Sequence, residues 1–491
     1  RRQYRLAVQA LGPIRVAGPL LDLTRVPEYT SARDGELEGG LDGELEGELE
    51  GELEGELEYG RPLPPLHVES GPVCLAVSRI GGWILVPLVR LGLIFLGIVV
   101  LLSRGWNLGL VLLVASIAVG LLFDYPLVAV GRDVLTASVD QLTLQLILTV
   151  VLIMVLGEVL RVTSSLRGMV EALQELIPSG RLLLAGLPAF IGLLPMVGGA
   201  MFSAPMVDEV GDQIGLDQER KTFINYWFRH VWEYSFPLYP PVMLAAALLD
   251  VETLQLASLT WPLTAAAVVG GTAFGLLRMP DGRREAPSGS ARLASVIRLG
   301  ESVWPVALVI VLALALPVNE SIRLIVSLVL TITLAMAVKQ VGPRLLGQIL
   351  YRNVPWNMVA VLLGALAFRR VLEESGAVGA VSRILIASQV PVTMIAFAIP
   401  FIAGLLTGLT TGAYGIGFPV VLPLVASRGA IPPGWAVWLV AGGLLGAMSS
   451  PLHLCLSLTR VYFHAKWGPV YRRIIASGLV VAAVAALLLL V

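Results

Sequence analysis

The chain has 491 residues, 56% of them hydrophobic and only 14% charged, with a formal net charge of −1 and a mean hydropathy of +0.82. A soluble domain averages about 25% charged residues, so an ordinary soluble domain is excluded, and the near-zero charge leaves no basic footprint for nucleic acid. Two cysteines, Cys74 and Cys455, form no disulfide framework and neither has a CxxC neighbour.

Residues 1–80 read as a low-complexity leader. Residues 43–58 repeat Gly-Glu-Leu-Glu four times, without an aromatic residue and with no means of burying a core. The chain opens with Arg1 and its first methionine is Met154. A disordered segment, or a translation start set too far upstream, is expected here, with no cleavable signal peptide.

From Trp83 onward, apolar runs recur at the length that crosses a hydrocarbon core of about 30 Å. Ten spans are predicted, near 84–102, 107–123, 142–160, 222–249, 260–278, 302–317, 321–338, 354–372, 434–463 and 474–491. Two further stretches, 182–206 and 391–427, are interrupted by Pro, Gly and hydroxyl residues. Irregular backbone at membrane depth is tolerated only where it lines protein or a cavity, so both are predicted to be re-entrant hairpins. The loop 279–300 carries Arg283, Arg284, Arg292 and Arg298, which places it in the cytoplasm by the positive-inside rule. Both termini then lie on the opposite side. Hairpin 182–206 enters from the cytoplasm and hairpin 391–427 from the other face.

The sequence also matches itself. Leu187-Pro188 and Gly192 fall on Ile399-Pro400 and Gly404 at an offset of 212; Pro205 meets Pro419, and Ser235-Phe-Pro237 meets Ser449-Ser-Pro451, at 214. The predicted organisation is a first repeat over 81–279, a cytoplasmic linker over 280–300 and a second repeat over 301–491. Each repeat holds five spans and one hairpin. An odd span count inverts the second copy, the arrangement in which secondary transporters bring broken helices together near the midplane. The predicted fold class is therefore an all-α polytopic membrane protein of about ten transmembrane helices plus two re-entrant hairpins in two inverted repeats.

Four segments carry the candidate site. The first hairpin tip offers Pro195, Gly198, Gly199 and Ser203; its glycines allow close backbone approach, and a restarting helix aims free N–H groups at an anion. The second tip offers Thr407, Thr410 and Thr411, whose hydroxyls donate and accept. In 225–241, three prolines (Pro237, Pro240, Pro241) are expected to break the span, and Arg229 and Glu233 stand i, i+4 on one helix face. His230 adds a titratable ring, and intramembrane charges are functional by default. The fourth segment places Ser449 and Ser450 before Pro451, where unwound carbonyls suit a cation. His453 reads as a packing residue, and Glu158 with Arg161 as a structural pair.

The run Pro195-Met-Val-Gly-Gly-Ala-Met-Phe-Ser-Ala-Pro-Met-Val207, followed by Glu219-Arg-Lys-Thr-Phe-Ile-Asn-Tyr-Trp-Phe-Arg-His-Val-Trp-Glu-Tyr234 and Pro237-Leu-Tyr-Pro240, resembles domain-of-unknown-function family 401. The resemblance covers about 88–491; many relatives have Pro where Val197 stands. The family is assigned to the ion transporter superfamily, with its dicarboxylate, arsenite and Na⁺/H⁺ carriers, and no substrate is established for it. The resemblance implies transport, with Gly198, Gly199, Ser203 and Glu233 lining a site.

The expected function is ion-coupled secondary transport of a small, anionic solute by elevator-like alternating access, with Na⁺ or H⁺ as coupling ion. No resident metal or cofactor and no enzymatic activity are expected. The alternatives are a cation/proton antiporter using Glu233 and His230, a non-transporting scaffold, and, remotely, an intramembrane hydrolase using Ser203 or Ser449; no HExxH or GxSxG stands near them. Expected partners are the small solute or ion and the lipid bilayer of the inner membrane, with a homodimer left open.

Overall fold

A computed structural model describes residues 72–490 apart from 194–198, 278, 283–288, 354–355, 378, 381–383, 385–389 and 427–429. No β-strand occurs among the described residues. Helix α1 (Pro72–Ser103) begins inside the predicted leader and is followed by α2 (Leu108–Leu122), α3 (Leu127–Val139), α4 (Gln141–Val162) and α5 (Ser165–Leu176). Next come α6 (Gly180–Gly192), α7 (Gly199–Gln213), α8 (Gln218–His230), α9 (Pro240–Leu249) and α10 (Thr253–Gly271). The second half comprises α11 (Ser290–Ala315), α12 (Glu320–Val338), α13 (Pro343–Gln348), α14 (Trp356–Glu374), α15 (Val392–Thr407), α16 (Thr410–Val425), α17 (Pro433–Met448), α18 (Leu454–Tyr462) and α19 (Trp467–Leu489).

Local chemistry sets many of these boundaries. The side chains of Asn107, Asp140, Ser179 and Asp217 accept hydrogen bonds from backbone N–H groups of Gly109, Leu142, Leu182 and Arg220, satisfying donors that a helix start leaves free. Each predicted span coincides with helix, but 222–249 and 434–463 are each two helices with a break between them. The first break begins earlier than the prolines predict. Helix α8 ends at His230 and tightens into a 3₁₀ turn at Val231–Tyr234, while Pro240 and Pro241 occupy the first positions of α9, where a missing N–H costs nothing. Glu233 therefore does not continue the helical face of Arg229. Helices α3 and α5 were not foreseen, because their apolar residues lie on one face and never form a continuous run.

Among the described residues, five helices are long and apolar enough to cross a membrane: Val86–Ser103 of α1, α4, α10 with its π-helical extension to Leu276, α11 and α19. The bent pair α13–α14, meeting at 54°, makes a sixth if it forms one span. Seven shorter apolar helices accompany them, among them α2, α6, α9, α15, α16 and α17. The protein is a multi-pass α-helical membrane protein.

Small residues set the closest helix crossings, as expected where apolar burial gives helices no net preference for one another over lipid. A Cβ at Gly109 of α2 would lie 2.1 Å from the Ala360 carbonyl oxygen of α14, and one at Gly364 would lie 2.4 Å from the Gly109 oxygen. Helix α4 packs on α12, α10 on α19, α9 on α16 and α18 on α7. Helices α6, α7 and α8 contact one another, as do α15, α16 and α17. The largest fully buried side chains include Trp227, Tyr226 and Tyr234 around the first break and Tyr414 and Phe418 in α16.

Candidate functional site

Helix α8 carries a dense run of buried polar groups: Lys221, Thr222, Asn225, Arg229 and His230. Arg229 and His230 end the helix, Glu233 sits in the 3₁₀ turn, and all three are buried. Gly192 of α6 permits this arrangement: a Cβ there would lie 2.3 Å from the Arg229 carbonyl oxygen. The Tyr239 hydroxyl donates to the Gly192 carbonyl, fixing the break against the end of α6.

The Glu233 carboxylate faces two partners. Its Oε2 accepts a hydrogen bond from the Thr410 hydroxyl at 3.2 Å, and its Oε1 lies 3.9 Å from His230 Nε2. Thr410 is the first residue of α16, so a helix start from the second half meets the carboxylate of the first. Arg229 lies close enough to Glu233, Tyr239 and Cys455 to interact electrostatically.

His230 is held by its other nitrogen. Its Nδ1 is 2.6 Å from the Tyr226 carbonyl oxygen; a carbonyl only accepts, so Nδ1 carries a proton. His230 Nε2 lies 3.2 Å from His453 Nε2, and the rings of Tyr226, His230 and His453 meet tilted or edge-to-face, 4.6–5.3 Å from centroid to centroid. His453, read from sequence as a packing residue, thus joins the cluster. The Tyr226 hydroxyl donates to the Met448 carbonyl at 3.0 Å, tying α8 to the last turn of α17.

The predicted tip residues divide into three groups. Pro195 and Gly198 lie outside the described residues, and Gly199 is the first residue of α7. The Ser203 hydroxyl donates to Asn225 Oδ1 at 2.6 Å, while Asn225 Nδ2 donates to the Ala200 carbonyl at 2.9 Å and to Thr459 at 3.3 Å. Thr407 closes the second tip: its hydroxyl donates to the Ala403 carbonyl and accepts from the Leu409 N–H. Gly408 has φ +66°, and a Cβ there would lie 2.8 Å from the His453 backbone nitrogen, so this turn rests against the second break. Thr411 and Ser450 are buried, Ser449 is half-buried, and the Ser450 hydroxyl accepts from the Leu452 N–H.

Asn225 had no assigned role in the sequence reading, although it joins α7, α8 and α18 through three hydrogen bonds. An amide carried mid-segment among aromatic residues is the signal that could have found it, because a buried amide demands partners. A separate cavity of about 390 Å³ is lined by Gln145, Thr149, Asp250, Glu252 and Arg323, among others. It contains none of the predicted site residues.

Residues 88–491 match the family described as Protein of unknown function (DUF401). The chain belongs to that family. No curated protein matches the chain. The DUF401 match takes in every helix from α2 to α19 and all of the clustered residues, and stops short of the acidic repeat.

Proposed function

We propose that this DUF401 protein is a secondary transporter of a small anionic solute, driven by a Na⁺ or H⁺ gradient and built from two inverted repeats. The observation that carries the reading is the meeting of Glu233, in the broken segment of the first half, with Thr410, at a helix start in the second half. Opposed helix ends at broken segments are the usual binding architecture of such carriers. Helix starts at Gly199 and Thr410 suit an anion, and Glu233 supplies a carboxylate for the coupling cation.

Packing supports the repeat. Corresponding elements contact each other's partners reciprocally: α9 packs on α16 as α18 packs on α7, and α4 on α12 as α14 on α2. The close approaches correspond too. Gly192 abuts the Arg229 carbonyl, and Gly404 abuts the Gly443 carbonyl, where a Cβ would lie 2.6 Å from the oxygen. These are the same sequence offsets, 212 and 214, that align the Pro and Gly landmarks.

Side pairing supports the topology. Segments assigned to the cytoplasm meet one another: Ser179 with Asp281, Ser295 and Arg298 with Glu175, the Lys466 N–H with Glu219. Segments assigned outside also meet, Arg370 with Asp133 at 3.8 Å. Helices α15 and α16 have 16 residues each, about 24 Å at 1.5 Å per residue, short of a core of roughly 30 Å. Helix α2 is as short, at 15 residues, so what favours a hairpin is the break itself: Gly408 takes left-handed backbone after α15, and α16 restarts at Thr410.

Proteoliposomes carrying the purified protein test the reading. Uptake of a small carboxylate or oxyanion should saturate, require an imposed Na⁺ or H⁺ gradient, and lose its gradient dependence in Glu233→Gln. Gradient-independent leak at channel rates would overturn the proposal.

A further inference from the structure

We infer that His230, His453 and Cys455 form a site for a borderline-soft divalent transition-metal ion of the zinc class. Their ligand atoms, one nitrogen from each ring and the Cys455 Sγ, all lie within 4.8 Å of one another. With metal–ligand bonds of about 2.0–2.3 Å, tetrahedral donors stand about 3.3–3.6 Å apart. The 3.2 Å between the two Nε2 atoms matches that edge, and an approach of the thiol from within 4.8 Å to about 3.5 Å completes a three-ligand face.

Two further features fit ligation. The His230 Nδ1–H is held by the Tyr226 carbonyl, which leaves the Nε2 lone pair turned toward His453; a metal-bound imidazole is ordinarily anchored in this way through its other nitrogen. The Cys455 thiol, half-buried, is faced by the backbone N–H of Ala200, in the first turn of α7. The thiolate is the ligating form, and metal binding releases the thiol proton. The thiolate and the Glu233 carboxylate, 3.9 Å from His230 Nε2, meet the charge of a dication, with Arg229 the opposing cation nearby.

Two imidazoles and one thiolate select zinc-like ions over Mg²⁺ or Ca²⁺, which take oxygen donors. Three protein ligands leave a fourth position open, as in exchangeable rather than closed structural sites. The ligands come from the end of α8 and the start of α18, so one ion would join the two broken segments. The site stands independently of the transport reading: an ion could bind whatever the protein carries.

Co²⁺ titration of the full-length, metal-stripped, tag-free protein in detergent tests the site. One equivalent should give the intense visible bands of four-coordinate Co²⁺ and a thiolate charge-transfer band, both displaced by Zn²⁺. Cys455→Ser should abolish the charge-transfer band and weaken binding by about tenfold or more; His453→Gln should weaken it similarly, and Cys74→Ser should leave it unchanged. Zn²⁺ should also slow maleimide alkylation of Cys455 in the Cys74→Ser protein, a readout that survives if the Cys455 variant fails to fold. A weak six-coordinate spectrum, a charge-transfer band that persists in Cys455→Ser, or alkylation indifferent to Zn²⁺ would overturn the site. In that case the two rings share only an N–H···N hydrogen bond. Failure here leaves the proteoliposome result untouched, and loss of gradient-driven uptake leaves the Co²⁺ spectrum untouched.

Discussion

Gly446 of α17 has no room for one more carbon: a Cβ would lie 2.0 Å from the Phe401 carbonyl oxygen of α15. Backbone cannot yield as a flexible side chain can, so Gly446→Ala should destabilise the protein by about 1–3 kcal/mol. Thermal unfolding in detergent would measure this, with Gly468→Ala as the control, because nothing lies within 4 Å of a Cβ there. Thr410 provides a second test at this scale. Thr410→Val keeps the shape and removes the hydroxyl that donates to buried Glu233, which should cost about 1–3 kcal/mol. Thr410→Ser, which retains the hydroxyl, should recover most of that loss. Two glycine landmarks show how legible single residues were. Gly192 and Gly404 stood out in the sequence by their offset alone, and each abuts a partner carbonyl. His453 and Cys455 were not legible in that way. A histidine and a cysteine in an apolar segment have no periodic signature, and their relation to His230 arises from residues more than two hundred positions apart.

Among the elements, α5 and α11 are joined by Glu175, which stands on α5, outside the helices long enough to cross a membrane, and accepts hydrogen bonds from Ser295 and Arg298 of α11. The Ser295 hydrogen bond, reinforced by the Arg298 charge, holds the Glu175 carboxyl below its usual range. A depressed carboxylate adds stability that is present above the ordinary carboxylate value and is lost as pH falls through the lowered one. Ser295→Ala should therefore shrink the acid-side loss of stability, read as a flatter dependence of melting temperature on pH below the carboxylate range. Lys221 makes a similar joint between α7 and α8, held by Asp208 and Asp212 at 2.7 and 2.5 Å. The apolar runs made most long helices legible, because about 20 consecutive apolar residues have few other physical outcomes. They did not reveal α3 or α5, whose polar faces carry residues such as Arg132 and Glu171. The break in 222–249 was foreseen but placed at the prolines, whereas the helix tightens at Val231 and the prolines begin the next helix.

For the whole molecule, the two-repeat reading makes a sidedness prediction. In a background of Cys74→Ser and Cys455→Ser, single cysteines at Ser179, Gly215 and Ser290 should react with a membrane-impermeant maleimide from one face. Cysteines at Asn319, Val390 and Ala430 should react from the other. Because Ser179 and Gly215 flank α6–α7, and Val390 and Ala430 flank α15–α16, labelling of either pair from opposite faces would show a full crossing in place of a hairpin and remove the repeat.

Sequence by itself determined the membrane class, most of the long helical segments and the internal offset. Each follows from local composition or spacing, and the bilayer imposes a length and a polarity on every segment that enters it. Only the tertiary structure decided which interrupted segments meet. Thr410 reaches Glu233, His453 reaches His230 and Asn225 reaches Thr459 across about 180 to 230 residues. The physical reason is that a buried polar group must find partners wherever packing brings them, and packing between distant helices is fixed by the fit of their surfaces, which no local run of residues records.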